Sequence, residues 1–227
     1  MHVRELWRYP VKTMAGEQLQ RARIGHLGIE GDRVVHVEGA QGRVITARTH
    51  PRFLGHKGTL GPDGEPLVDG QPWNSPEVAA KVVDIVGPGA KLVRYDGVER
   101  FDVLPLLVAT DGAIAAFGHD RRRLRPNLVI GGVEGLAERE WPGGCLRVGR
   151  VFIGVQDLRT RCIMTAYDPD TLVRNREITQ DIYRRFAGKL ALNCFVIEGG
   201  EFSVGDEVEL VRGRACAESA AAAVFTE

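Results

Sequence analysis

One cysteine set between basic and hydroxyl side chains is the strongest chemical signal in this 227-residue sequence. Residues 159–165 read RTRCIMT, directly after the apolar, strand-like run VFIGV at 151–155 and its continuation. A thiol acts as a nucleophile or a metal ligand only as the thiolate, a form that nearby arginines favour. Cys162 is therefore the first candidate for chemistry. A buried structural role fits the local sequence equally well, because free cysteine is among the most buried residue types.

Two motifs near the start of the chain place cationic side chains where strands end. YPVKT at 9–13 ends in Lys12 and Thr13, which can hold a phosphate oxygen by charge and by a hydroxyl donor. GIEGDR at 28–33 puts the short acid Asp32 before Arg33 and can orient its guanidinium. Taken alone, each motif also describes an ordinary surface turn, in which an ion pair contributes little.

A third motif lies in the second half of the sequence, and the fourth is the Cys162 stretch, which continues into DPDT. In LRPNLVI at 124–130, Pro126 predicts an extended chain, so that Arg125 and Asn127 project to the same side of a strand. An arginine and an amide on one face suit an anionic heterocyclic ligand, although a solvated basic loop is an equal alternative. In DPDT at 168–171, Asp168 either forms an Asx-Pro turn or orients a substrate.

Composition and missing motifs exclude several other classes of protein. Lysine plus arginine and aspartate plus glutamate are equal at 30 each, which gives no indication of a nucleic-acid partner. Walker A, GxGxxG, HExxH and GxSxG patterns are absent, and the six histidines lack metal-ligand spacing. The four cysteines form no CxxC, which argues against a zinc ribbon and a disulfide framework. No run is apolar and long enough to span a bilayer, so we expect no membrane partner and a cytoplasmic location.

The elements that must position these side chains are mostly short strands. With 28 glycines and 11 prolines as breaks, the predicted strands alternate with turns and indicate a barrel or sandwich rather than a parallel sheet. They cover residues 3–9, 18–24, 33–38, 43–47, 81–86, 91–95, 127–130, 150–155, 190–198 and 207–211. Short helices are expected at 110–117, starting from Thr110, and at 179–187. The sequence thus predicts a mainly β fold with a few short helices, and residues 213–227 read as a flexible tail.

The four motifs, taken in order, resemble the MOSC family, named for the molybdenum cofactor sulfurase C-terminal domain, and most closely its amidoxime-reducing branch. YPVK-T, GxEGDR, RPN before an apolar strand, and RCxxT with DPDT span about residues 1–211. The resemblance implies an N-terminal β-rich domain over residues 1–100 and a MOSC β-barrel domain over residues 101–212. Thr13 stands where the family often has serine, and Leu172 stands where glycine usually follows DPDT.

The resemblance also implies roles for individual residues. Cys162 would be the ligand of molybdenum, and Asp168 an acid near the metal. The remaining matched positions would hold the molybdopterin and its phosphate, and they are Lys12, Thr13, Arg33, Thr110, Arg125, Asn127 and Arg161. A thiolate is an appropriate extra ligand for a metal already in a sulfur-rich shell.

The function implied is a molybdenum-cofactor oxidoreductase that reduces N-hydroxylated small molecules and takes electrons from a separate donor protein or small reductant. Asp168 would relay protons. Two alternatives stay open from the sequence. One is a sulfur carrier that uses a Cys162 persulfide, and the other is a carrier of the molybdenum cofactor without turnover.

Overall fold

The computed structural model describes residues 1–95 and 97–213, which form seventeen strands and three α-helices. The expectation of a mainly β fold with a few short helices is confirmed, while most of the expected tail lies outside the described residues. The strands are β1 (His2–Arg8), β2 (Glu17–Leu19), β3 (Arg21–Gly25), β4 (Gly28–Ile29), β5 (Val35–Glu38), β6 (Val44–Ile45), β7 (Gly58–Leu60), β8 (Pro66–Val68), β9 (Gln71–Pro72), β10 (Lys91–Arg94), β11 (Leu106–Thr110), β12 (Leu128–Gly131), β13 (Cys145–Val148), β14 (Val151–Thr160), β15 (Lys189–Glu198), β16 (Gly200–Ser203) and β17 (Glu209–Val211). The helices are α1 (Pro76–Val86), α2 (Asp111–Phe117) and α3 (Arg176–Phe186).

The largest sheet explains how distant motifs meet. Its eight strands run in the order β17-β13-β14-β15-β11-β12-β1-β2. β1 pairs antiparallel with β12, with Val3 opposite Ile130 and Leu6 opposite Leu128. β11 and β12 are parallel neighbours joined through α2, as a parallel pair requires a crossover connection. The strand that leads towards Lys12 therefore lies beside the strand that follows Arg125.

Three smaller sheets complete the fold, in the orders β10-β5-β6, β16-β3-β4 and β7-β8-β9. In the second of these, Phe202 on β16 lies opposite Ala22 on β3. Strands from the first thirty residues are thus hydrogen-bonded to strands from beyond residue 127 in two different sheets. A domain boundary near residue 100 stays a prediction.

Separate apolar clusters hold these layers together. The main sheet buries Leu6, Leu128 and Ile153 with many neighbours, whereas Val35 and Phe53 belong to a second cluster against α1. A third cluster joins α2 to α3. Full burial of each such side chain contributes about 1.5–3 kcal/mol, so the site described below rests on packed, well-fixed elements.

Helix α1 overturns one predicted element, because residues 81–86 were expected to form a strand. The β-branched residues of that segment favour strands locally, but stronger start signals precede them. The Ser75 side chain accepts a hydrogen bond from the Val78 backbone N–H, and Pro76 opens the helix. Val78 and Val82, four residues apart, are the buried pair that holds α1 on the core.

The other two helices agree with the sequence, with one shifted boundary. The expected helix at 110–117 is confirmed, and the Thr110 hydroxyl accepts a hydrogen bond from the Ala113 N–H as its N-cap. The expected helix at 179–187 is α3, which begins earlier because Asn175 caps the Glu177 N–H.

The structure bears on the state of the cysteines and on the length of the helices. Cys145 is disulfide-bonded, a bond that the argument against a disulfide framework did not anticipate. Among the described residues, Cys162 and Cys194 carry free thiols. In the same part of the chain, every helix is too short or too polar to cross a membrane. The cytoplasmic location stays a prediction.

Candidate functional site

Residues from all four motifs line one cavity of about 90 Å³. Seven of its side chains are cationic and one is a carboxylate. The predicted residues on its wall are Lys12, Thr13, Arg33, Arg125, Arg161 and Cys162. Asn127 lies on an adjoining cavity that also includes Arg33, whereas Thr110 and Asp168 lie on neither wall. We call this space the cysteine cavity.

The backbone around the cysteine cavity is unusual. Thr13, Arg33 and Arg125 have φ values of 80°, 56° and 54°, in the left-handed region that non-glycine residues rarely adopt. Such conformations cost roughly 1–3 kcal/mol each and cluster at functional sites. The prediction that Pro126 keeps the preceding residue extended is wrong at Arg125, because the tight turn after residues 121–123 sets its φ instead.

Lys12 and Thr13 are fixed by contacts to the loops that face them. The Lys12 N–H donates to Val35 O at 2.7 Å, and its Nζ donates to Arg100 O at 2.9 Å. The buried Thr13 hydroxyl accepts a hydrogen bond from the Ala47 N–H. Its own proton is therefore still available for donation to a ligand.

Arg33 is held by Asp32 as the sequence predicts. The fully buried Asp32 carboxylate accepts a hydrogen bond from the Tyr9 N–H at 2.7 Å and pairs with Arg33. Arg33 also donates to Asn127 Oδ1 at 3.3 Å. Asn127 in turn donates to Trp7 O and accepts from the Leu107 N–H, so its amide positions Arg33 and two strands.

Two further arginines carry positive charge into the protein, and neither forms an ion pair with a carboxylate of the described residues. Arg125 lies over the Tyr9 ring at 4.3 Å and donates to Met14 O, while Arg161 donates to Leu124 O. Burial lowers the pKa of both guanidiniums. The buried Nε of Arg161 makes no hydrogen bond within the described residues. A bound anion would relieve this cost, since buried charges are normally paired.

Cys162 follows β14 and presents its thiol to these cations. It precedes the short helical turn Ile163–Ala166, and its carbonyl accepts hydrogen bonds from the N–H and hydroxyl of Thr165. Arg48 and Cys162 line the same cavity. Burial acts to lower the pKa of Arg48, but the Asp102 carboxylate and then Cys162 outweigh burial and raise that pKa. Arg48 was not singled out by its sequence, because it lies in a plain turn.

Asp102 is the acidic member of the cysteine cavity and was also missed. Its carboxylate lies 3.0 Å from Lys12 Nζ, 2.7 Å from Arg48 and 3.7 Å from Arg159. Burial acts to raise its pKa, but these three cations outweigh burial and hold the pKa below the usual range. Its sequence context, FDVLP at 101–105, carries no motif that could have identified it.

Asp168 and Thr110 serve the local chain in this structure. Asp168 Oδ1 accepts hydrogen bonds from the N–H groups of Asp170 and Thr171, and Oδ2 pairs with Arg123 at 2.7 Å. The backbone donors lower the pKa of Asp168. Thr110, fully buried, caps α2 and lies 3.3 Å from Glu138 Oε2. Their predicted cofactor and proton roles stay predictions.

The cavity's donor set fits an anionic, sulfur-rich cofactor. Within residues 1–95 and 97–213, no group of three or more His, Cys, Asp or Glu side chains could hold a metal. A metal bound by Cys162 would therefore take its other ligands from another molecule. The thiol suits a soft metal, and the surrounding cations suit a phosphate.

Known proteins resemble this chain along most of its length. Human mitochondrial amidoxime-reducing component 1 is 25% identical over 92% of this chain and 82% of that protein. Mitochondrial amidoxime reducing component 2 of Macaca fascicularis is 24% identical over 81% of this chain and 72% of that protein. The YuaD protein of Bacillus subtilis shares the fold, with a TM-score of 0.52 at 14% identity over 94% of this chain and 96% of that one.

The family itself is identified by two domain models. The MOSC N-terminal beta barrel domain matches residues 1–71, and the MOSC domain matches residues 113–209. The first matched segment contains Lys12, Thr13 and Arg33, and the second contains Arg125, Arg161 and Cys162. This chain therefore belongs to the MOSC family, with both of its domains present.

Proposed function

We propose that this protein is a molybdenum-cofactor oxidoreductase that reduces N-hydroxylated small molecules. The observation that carries the proposal is the thiol of Cys162 on the wall of a cavity with seven cationic side chains. The names of the amidoxime-reducing relatives support the choice of reaction. At about 25% identity, that choice needs its own experiment.

Different residues of the cysteine cavity would bind the metal and the phosphate of the cofactor. Cys162 Sγ would be the protein ligand of the metal. Lys12, Arg33 and Arg161 would neutralise the phosphate, and the Thr13 hydroxyl would donate to it. Asn127 acts one step away, since its amide orients Arg33.

When bound, the cofactor would supply the two-electron reduction of the N–O bond. Reduction of an N–OH group to N–H consumes two electrons and two protons and releases water. The protein supplies binding, orientation and electrostatics, and electrons come from a separate donor protein or small reductant. The predicted proton relay at Asp168 has weaker support, because two backbone donors and Arg123 stabilise its carboxylate and so make it a weak proton acceptor.

Metal analysis after expression in a host that makes the cofactor tests the proposed ligand. We expect about one molybdenum per chain in the wild type and a loss of most of it in Cys162→Ala. Cys194→Ala is the matched control, because Cys194 is a free but fully buried thiol on β15. Equal molybdenum in wild type and Cys162→Ala would reject Cys162 as the ligand.

The reaction needs a separate assay. Cofactor-loaded protein should reduce an amidoxime to its amidine with an artificial reductant, and Cys162→Ala should not. Loaded protein without activity on any N-oxygenated compound would favour the alternative of a cofactor carrier. Cyanide-labile sulfur on Cys162 without molybdenum would instead favour the sulfur-carrier alternative.

A further inference from the structure

A second, larger cavity adjoins the cysteine cavity. Its volume is about 450 Å³, and it shares Arg123, Arg125 and Met164 with the cysteine cavity as a common wall. Of the residues assigned to the cofactor, only Arg125 lines this space. We call it the aromatic cavity, because Trp7, Tyr9 and Tyr167 line it.

The aromatic side chains of this cavity are held in place. The Trp7 indole N–H donates to Glu5 Oε2 at 2.8 Å, and Arg121 fixes the same carboxylate at 2.7 Å. Tyr167 packs against the cluster that contains Leu54, a second member of the wall. Rigid aromatic faces bind planar ligands with little loss of side-chain entropy.

Lys57 leaves the charge of the aromatic cavity unbalanced. Arg122 is paired with Asp120 and Asp170, and Arg123 with Asp168. Lys57 is exposed, and within the described residues its ammonium forms no ion pair. Its backbone is nonetheless fixed, because its N–H donates to Asp69 Oδ1 and its carbonyl accepts from the Asp69 N–H.

We infer that the aromatic cavity binds a planar aromatic carboxylate, with its ring against Trp7 and Tyr167 and its carboxylate at Lys57. A ligand in the aromatic cavity would also meet the wall shared with the cysteine cavity, which Arg123, Arg125 and Met164 form. Combined with the proposed function, on which this part rests, the substrate class is an N-hydroxylated aromatic compound that also carries a carboxylate. The site itself can be tested by binding alone.

A pterin is a poorer occupant of the aromatic cavity than an aromatic carboxylate. Its ring carries many polar groups, and buried polar groups need hydrogen-bond partners. The arginines here are already engaged by Asp120, Asp168, Asp170 and the Met14 carbonyl. The cysteine cavity instead offers the unpartnered Nε of Arg161 and the Thr13 hydroxyl proton.

Calorimetric titration of the cofactor-loaded full chain tests the site. The probes are naphthalene-2-carboxylate and its neutral counterpart, naphthalene-2-carboxamide. We expect the carboxylate to bind about fivefold more tightly, as one solvent-accessible ion pair allows. Lys57→Gln should weaken carboxylate binding about fivefold and leave the amide unchanged. Lys91→Gln, at another exposed lysine whose ion pair with Glu38 spans 3.8 Å, should change neither.

Three results would overturn the inference. The first is equal binding of the two probes by the wild type. The second is loss of carboxylate binding in Arg48→Gln but not in Lys57→Gln, which would locate the anion in the cysteine cavity. The third is binding by cofactor-free protein that the cofactor abolishes. Lys57-dependent binding without any reduction of N-hydroxylated compounds would keep the site and refute only the proposed reaction.

Discussion

Asp102 acts as an internal counter-ion for the cysteine cavity, and its neutralisation should have two opposite effects. Its carboxylate contacts Lys12, Arg48 and Arg159 within 3.7 Å. An inorganic phosphate that enters the cavity needs the same cations and is repelled by the same carboxylate. Asp102→Asn keeps the shape and removes the charge. We therefore expect lower stability without an anion and higher affinity for phosphate.

The size of each effect follows from the exposure of the partners. The Arg48 side chain is 43% exposed, so its pair contributes only about 0.5 kcal/mol. The Lys12 and Arg159 side chains are 14% and 18% exposed and contribute more, up to ~1 kcal/mol each after allowance for the acceptor that asparagine retains. The free energy of unfolding should fall by about 2 kcal/mol. Removal of the repulsion should tighten phosphate binding about tenfold, or ~1.4 kcal/mol.

Urea unfolding at pH 7 with and without inorganic phosphate measures both quantities, since a ligand of the folded state stabilises it by RT ln(1 + [L]/Kd). Asp84→Asn is the control, because Asp84 pairs with Arg52 at the surface and both side chains are more than 60% exposed. That control should change stability by under about 0.5 kcal/mol. Phosphate affinity that is unchanged or weaker in Asp102→Asn would refute the counter-ion role.

Three other predictions concern stability. Lys81 and His56 overcome burial and lower the pKa of Asp69 to about 2, so the stability that this carboxylate contributes is present above pH 4 and lost as pH falls towards 2. Asp69→Asn should therefore lower the free energy of unfolding by about 1–2 kcal/mol at pH 7. In urea titrations the variant should also lose less stability than the wild type between about pH 4 and pH 2, and an equal loss would contradict the prediction. Ser75→Ala should cost about 1 kcal/mol through loss of the α1 cap in the same assay, whereas no loss would deny the cap. Thr110→Ala should lower the free energy of unfolding by a similar amount, through loss of the α2 cap, and leave the molybdenum content unchanged. Loss of molybdenum in this variant would support the predicted role of Thr110 at the cofactor.

The motif residues could be predicted as site residues because the type of each residue and its immediate neighbours in sequence together indicate what it can bind. Lys12, Thr13, Arg33, Arg125 and Cys162 all line one cavity, although their contacts with a cofactor stay predictions. The elements were predicted less evenly. Residues 81–86 have strand-forming side chains, yet the capping signals of Ser75 and Pro76 decide for α1.

Apart from Asp32 beside Arg33, the partners of the motif residues could not be predicted, because they depend on tertiary contacts. Asp102 and Arg48 have ordinary local sequences and gain their importance only from the loops that bring them to Lys12 and Cys162. The left-handed φ of Arg125 was equally hidden, since a following proline locally favours extended backbone.

The pairing of β1 with β12 limits how early during synthesis the cysteine cavity can form. His2 lies opposite Gly131, so the strand before Lys12 waits for its partner while more than a hundred further residues are synthesised. At ordinary translation rates this delay is on the order of ten seconds. Until then, Lys12 and Thr13 have no fixed position relative to Arg125 or Cys162. The cysteine cavity can therefore form only after β12 has been synthesised, and nascent chains that end before β12 would carry the first two motifs without a site.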